Sequence, residues 1–213
     1  MLAAILAAGC ASGSTATPTP APRQALPAGD YRSSAFTPAV TFTLPDGWLI
    51  VEDSAEYLAL QPVTSDSVGI YLFRSPGAAS QQADCPTTAL PEVGPLAKDL
   101  VDWIRARPGL RTGSPESVVL GGMVGFELDV AIVDGWTASC PFAEGLPTVP
   151  LFVGGTNGLR WVVAGSERMV LRVLDMPGGG TVVVDIDAFE GSLLDGFLPV
   201  ATPIVKSLRF ATP

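Results

Sequence analysis

Two short stretches bring carboxylates together at strand spacing. In "TVVVDID", Asp185 and Asp187 stand two residues apart, so on an extended chain both side chains leave the same face. Paired oxygen ligands of that kind suit a divalent cation, although the commoner expectation is a polar face at a sheet edge. In "GFELDV", Glu127 and Asp129 repeat the spacing. Two acids across a cleft are what glycoside hydrolysis uses, but nothing in this spacing sets their separation in the fold. Trp136, beside Gly135 in a loop, is the tryptophan whose exposure matters for ligand stacking, with a packed ring as the ordinary outcome. "PGGG" before Thr181 lacks the lysine and the following helix of a phosphate loop, so it reads as a turn.

Composition removes most other chemistry. The chain of 213 residues has no histidine, so the usual base for serine or cysteine nucleophiles and the commonest zinc ligand are missing. Lys98 and Lys206 are the only lysines, which leaves little for Schiff-base or Ser-Lys chemistry. With 12 basic against 21 acidic residues and a net charge of −9, neither nucleic acid nor an electrostatic grip on anionic lipid is expected. Carboxylate chemistry and binding without chemistry remain. No cofactor is expected.

The elements that would position these residues are legible as patterns. Apolar residues at 47% and charged ones at 15% describe a folded body, and 23 Gly with 20 Pro describe one rich in turns. "AVTFTL" alternates Val40, Phe42 and Leu44 onto one strand face, Pro45-Asp46-Gly47 turns, and Trp48 opens the next strand. "EYLAL" and "VGIYLFR" form a pair around Ser65-Asp66. Leu96, Leu100, Trp103 and Ile104 make one apolar stripe on a helix from Pro95 to Arg107, with Pro95 in its first position. Trp48 and Trp103 fall on apolar faces and belong in a core. Gly121-Gly122 suits the tight turn of a hairpin that continues through Val124, Phe126, Leu128, Val130 and Ile132. "TVPLFV", "RWVVAG", "RMVLRVLDM" and "TVVVDID" follow as strands. From about Phe189 the spacing of Phe197, Ala201, Ile204 and Leu208 is helical, with Pro199 and Pro203 expected to kink or shorten it, before "SLRF" closes as a short strand. The order implies one α+β domain over 30–213, a largely antiparallel sheet with packed helices.

The beginning of the chain addresses location. Residues 1–9 are apolar and uncharged, and as a helix they would reach only about 14 Å, too short to span a bilayer. Ala7-Ala8-Gly9-Cys10 resembles the bacterial lipobox, in which the cysteine thiol receives a diacylglycerol; the departure is Ala7, where leucine is usual, with Leu6 one place earlier. Met1 is accordingly read as an internal start within a lipoprotein signal whose basic segment lies upstream. Residues 10–29, rich in Ser, Thr, Pro and Ala, read as an extended tether that holds the body clear of the membrane to which Cys10 anchors it. Cys85 and Cys140 then remain as an even pair in an oxidising compartment and are expected to form a disulfide. The alternative, a reactive Cys140, has no histidine partner.

"FTLPDGW", the single mid-chain helix, "VVLGGMVGFELDV", "GGGTVVVDI" and the closing "PIVKSLRF" resemble bacterial envelope lipoproteins of the PsbP-like fold, the DcrB and LpqN types among them, from Asp30 to Phe210. The resemblance implies a PsbP-like sandwich and an accessory or ligand-binding role; it brings no catalytic residue. The expected function is a non-catalytic, lipid-anchored extracytoplasmic protein that binds an envelope protein or a small apolar ligand. The alternative is a carboxylate-dependent hydrolase of envelope polymers. Expressed with its full-length start, the protein is expected to partition into detergent while Cys10→Ser stays aqueous. Equal partitioning of the two contradicts the anchor.

Overall fold

The computed structural model describes residues 24–154 and 158–211. The expected signal, Cys10 and most of the tether lie outside the described residues. Along the chain run β1 (Gly29–Arg32), β2 (Val40–Leu44), β3 (Trp48–Asp53), β4 (Tyr57–Pro62), β5 (Val68–Arg74), β6 (Gly77–Ala78), α1 (Ala97–Arg105), β7 (Leu110–Thr112), β8 (Glu116–Leu120) and β9 (Met123–Ile132). After them come β10 (Thr148–Gly154), β11 (Leu159–Ala164), β12 (Arg168–Asp175), β13 (Thr181–Ala188), α2 (Leu194–Ser207) and β14 (Arg209–Phe210).

Eight strands form a central antiparallel sheet in the order β3-β4-β5-β13-β12-β9-β7, with β8 also paired to β9. Two three-stranded sheets, β1-β2-β14 and β11-β10-β6, accompany it. Strand takes 44% of the described residues and helix 16%, so the body is mostly β. The antiparallel sheets were expected; the weight given to packed helices in an α+β reading was too great.

Period-two alternation sorts the side chains into two cores. On β13, Val182, Val184, Ile186 and Ala188 join a first core shared with β2 and α2, while Val183 joins a second with α1 and β10. Each large side chain buried there, Phe42 in one core and Phe73 in the other, contributes about 1.5–3 kcal/mol. A strand covered on both faces reads as a nearly continuous apolar run, which is what "TVVV" shows.

Local chemistry sets the boundaries. Gly121 and Gly122 both have positive φ, at 59° and 90°, as the primed turn of the β8–β9 hairpin requires. A Cβ on Gly121 would also come within 2.5 Å of the Phe210 ring. Helix α1 buries Leu100, Trp103 and Ile104 as expected, but begins at Ala97 rather than Pro95. Leu96 therefore precedes the first turn and is 51% exposed instead of extending the stripe. The Asp175 carboxylate at the end of β12 accepts the Ala97 N–H at 2.7 Å, capping the helix and tying it to the central sheet.

The C-terminal segment departs from expectation twice. Phe189 lies before the helix and is exposed, followed by a single 3-10 turn, Gly191–Leu193. Helix α2 then runs unbroken through Pro199 and Pro203. Both prolines sit on its outer face, so the carbonyls they deprive of partners, those of Asp195 and Pro199, belong to exposed residues where water replaces the lost bonds. The expected disulfide joins Cys85 to Cys140 across 55 residues, with Cα atoms 5.7 Å apart. Asp175→Ala, which removes the α1 cap, is expected to lower stability by about 1 kcal/mol in chemical denaturation; an unshifted midpoint contradicts that role.

Candidate functional site

Asp185 and Asp187 do not lie at a sheet edge. Strand β13 is flanked on both sides, with Asp185 opposite Tyr71 of β5 and Leu171 of β12, and Asp187 opposite Gly69 and Met169. The polar-edge expectation is therefore corrected: Asp185 is 0% exposed and Asp187 6%. Both point to the second-core side, where a third acid meets them. Glu167, from the turn between β11 and β12, is 5% exposed and hydrogen-bonds Asp187. Its other contact is the Ala164 N–H, which donates to Oε2 at 2.5 Å.

Three acids taken out of water must keep protons or find donors. Burial pushes the Asp187 carboxyl up to about 7, and the hydrogen bond from Glu167 partly offsets it. Burial, then the charge of Asp187, pushes Glu167 up to about 10. At neutral pH Glu167 is thus the protonated partner, and its O–H donates to Asp187. Asp185 is raised well above the ordinary range, first by burial and then by Asp187, against the pull of the Trp161 indole N–H, which donates to Oδ2 at 3.1 Å. The second oxygens of Asp185 and Asp187 have no hydrogen-bond partner. Among the described residues no three His, Cys, Asp or Glu side chains are gathered as metal ligands. A cation would have to displace protons that burial makes these acids retain.

Above the acids lies a block of rings. Trp161 packs against Tyr71 and Phe73 with centroids 4.7 and 4.9 Å apart, and Tyr57 against Phe73 at 5.2 Å. The Gln61 amide donates to the Tyr71 hydroxyl at 2.8 Å. Glycine is required at 69, because a Cβ there would fall 2.5 Å from that hydroxyl. Burial is the main cause that raises both phenols. The outer side of this block opens into a cleft of about 270 Å³ with Tyr57, Phe73, Leu159 and Trp161 as its apolar lining. Glu52, Glu56, Arg74 and Arg160 stand around it. Trp161 is the link: it lines the cleft and donates its indole N–H to the buried Asp185.

The other candidate residues lie elsewhere. Glu127 and Asp129 sit on the opposite face of the central sheet from Asp185, since Glu127 pairs with Arg172 and its neighbour Leu128 pairs with Leu171. Glu127 binds the Arg172 guanidinium at 2.6 Å. Asp129 is exposed beside a separate polar hollow with Arg111 and Arg168. Trp136 is half-buried, packed on the second core, with its indole N–H donating to the Thr148 carbonyl at 2.9 Å. The rings of Tyr57, Tyr71 and Phe73, and the acid Glu167, were not singled out from sequence. Their signal was present: an acid inside an apolar run demands buried partners.

No family model matches the chain, and no curated protein matches it. Among solved structures it is similar to the solution structure of cyanobacterial PsbP (CyanoP) from Synechocystis, at 11% identity and a TM-score of 0.44, covering 85% of this chain and 92% of that one. It is also similar to a crystal structure from Bacteroides thetaiotaomicron, at 11% identity and a TM-score of 0.38, covering 81% of this chain and 45% of that one. No residue role is carried over from either.

The acid cluster fixes a sign for stability against pH. Asp187 binds its proton more tightly folded than at its ordinary 3.8, so from about pH 4 to about pH 7 the folded state holds the extra proton and stability falls as pH rises. Glu167 extends the fall toward pH 10. Thermal unfolding is expected to occur several degrees higher near pH 5 than near pH 8, with Asp187→Asn flattening the difference. Because the net charge of −9 acts in the same direction, an unchanged slope in that variant refutes the cluster as the cause.

Proposed function

We propose that this chain is a non-catalytic, lipid-anchored envelope protein of the PsbP-like, DcrB/LpqN type, whose body binds a small, largely apolar ligand. The observation that carries the reading is the ring-lined cleft and the way its Trp161 is held. A cleft with an apolar lining and a few polar groups at its margin is the usual form of a small-molecule site. Trp161 cannot turn freely while its N–H serves Asp185, so the surface offered to a ligand is set in advance and little ordering remains for binding to bring about.

Support for the location is of another kind. The lipobox-like Ala7-Ala8-Gly9-Cys10 and the Pro/Thr-rich tether favour an anchor, and a Cys85–Cys140 disulfide suits an oxidising compartment. The rival reading, a carboxylate-dependent hydrolase, draws on the shared proton of Glu167 and Asp187. Against it, both acids lie beneath the rings and neither belongs to the lining of the aromatic cleft.

Native mass spectrometry of the protein extracted from its own membranes tests the binding reading. The wild type is expected to retain a small ligand, and Leu159→Glu, which puts a charge into the lining, to lower its occupancy about tenfold. An empty wild type, or equal retention in the variant, contradicts the cleft. Turnover of an envelope polymer abolished by Asp187→Asn favours the hydrolase instead.

A further inference from the structure

We propose that the end of the central sheet where the chain enters the body is a docking face for another envelope protein, one that presents an apolar surface bordered by lysine and arginine. This goes beyond the proposed ligand-binding role, because the aromatic cleft lies at the other end of β5. Only the placement of the face near a membrane rests on the proposed anchor.

Half-exposed apolar side chains gather at this end. Strand β4 finishes here, β5 begins, β13 finishes and β12 begins, side by side in the sheet. Val63 follows β4, Phe189 follows β13, Leu193 closes the next turn, and the Leu146 side chain lies over Gly165 ahead of β12. Val63, Leu146, Phe189 and Leu193 are between 39% and 50% exposed. With adjacent strands about 4.8 Å apart, they fall in a band about 15 Å wide. Single exposed apolar residues are ordinary, whereas a group of them in one place marks a contact surface.

The turns that carry these side chains are tied down. The Val63 N–H donates to the Gly47 carbonyl at 2.8 Å, and the Phe189 N–H to the Ser67 carbonyl at 2.9 Å. The Gly191 N–H donates to the Ser166 carbonyl at 3.1 Å, and the Leu193 N–H to the Glu190 carbonyl at 2.8 Å. A face held in this way has little freedom left to lose on binding.

Charge selects the class of partner. Each apolar tip has an exposed acid within three residues of it in the chain: Asp66, Glu144, Glu190 and Asp195. Arg168, which also stands at this end, is already engaged by Asp195 at 3.1 Å. An apolar centre with a charged margin is the usual anatomy of a protein contact. This margin is repelled by anionic lipid and complements a cationic protein surface. A second copy of the chain would set the same acids against each other, and like charges penalise that pairing.

The path of the chain places the face. The Leu26 carbonyl accepts the Gly47 N–H at 3.1 Å, and Gly47 in turn accepts from Val63, so the entering segment arrives beside the first tip. Cys10 stands sixteen residues before Leu26. An anchor there keeps this end within about 50 Å of the membrane even on a fully extended tether. Tethering makes the encounter with a membrane-bound partner effectively intramolecular, so a small face suffices.

Photo-crosslinking in the intact envelope tests this. A benzophenone side chain replaces Phe189 in one form of the full chain and Val119, in the hairpin at the far end of the sheet, in another. Irradiation is expected to join position 189 to a peptide of a different protein in which apolar residues stand beside lysine or arginine, and position 119 to no such peptide. Asp66→Lys combined with Glu190→Lys is expected to lower the yield about tenfold without lowering the unfolding temperature, since both acids are exposed. Cys10→Ser is expected to lower the yield as well. The docking face is overturned by no adduct, by an adduct with lipid or with the chain itself, or by a linked peptide without basic residues. Equal yields from both positions, or a yield that charge reversal leaves unchanged, overturn it too. A yield that Cys10→Ser alone leaves unchanged retains the face and removes the anchor from its working.

Discussion

Two aspartates stand in the middle strand of an eight-stranded sheet, and the sheet closes over them only because they keep protons or accept hydrogen bonds. Leaving an ionised carboxylate in such a place would cost several kcal/mol, comparable to the whole stability of an ordinary domain. The surroundings answer that cost piece by piece. Glu167 shares its proton with Asp187, Trp161 donates to Asp185, and the Tyr57, Tyr71 and Phe73 rings shut out water. The remaining unpartnered oxygens of Asp185 and Asp187 show that the answer is incomplete.

What the cluster accomplishes is visible in the ring above it. Trp161 comes from β11, in the small sheet, while Asp185 belongs to the central one. Their hydrogen bond therefore fixes how the two layers meet, and it does so at the wall of the aromatic cleft. The disulfide joins the loop before α1 to the loop before β10, next to the same layer. Polar contacts specify position here, and the apolar packing supplies the stability.

Much of the fold was legible because it depends on local pattern. Alternation placed Val40, Phe42 and Leu44 inside, and Gly121-Gly122 marked a true hairpin. Cysteine parity identified the bridge. The failures share one physical cause, which is that a strand does not record its neighbours. Asp185 and Asp187 read as an edge because the sequence shows two acids and not the β5 and β12 strands beside them. Pro199 and Pro203 read as a kink or an early end because the damage they do depends on whether the freed carbonyls meet water, and that depends on which face α2 buries. Glu167 was missed in the turn "AGSERM", where a glutamate ordinarily faces solvent. Glu127 and Asp129, at the same spacing as the buried pair, came to lie on the opposite face of the sheet.

Protonation of the buried acids underlies the held ring and the cleft wall, and carbon-13 NMR of the side-chain carboxyls measures it directly. With Asp and Glu labelled, Glu167 is expected to show the chemical shift of a protonated carboxyl at neutral pH, and Asp187 to titrate close to neutrality. Three carboxyls that all ionise in the ordinary range near pH 4 would contradict it, because Trp161 would then be held by a charge exposed to water and not by a buried acid.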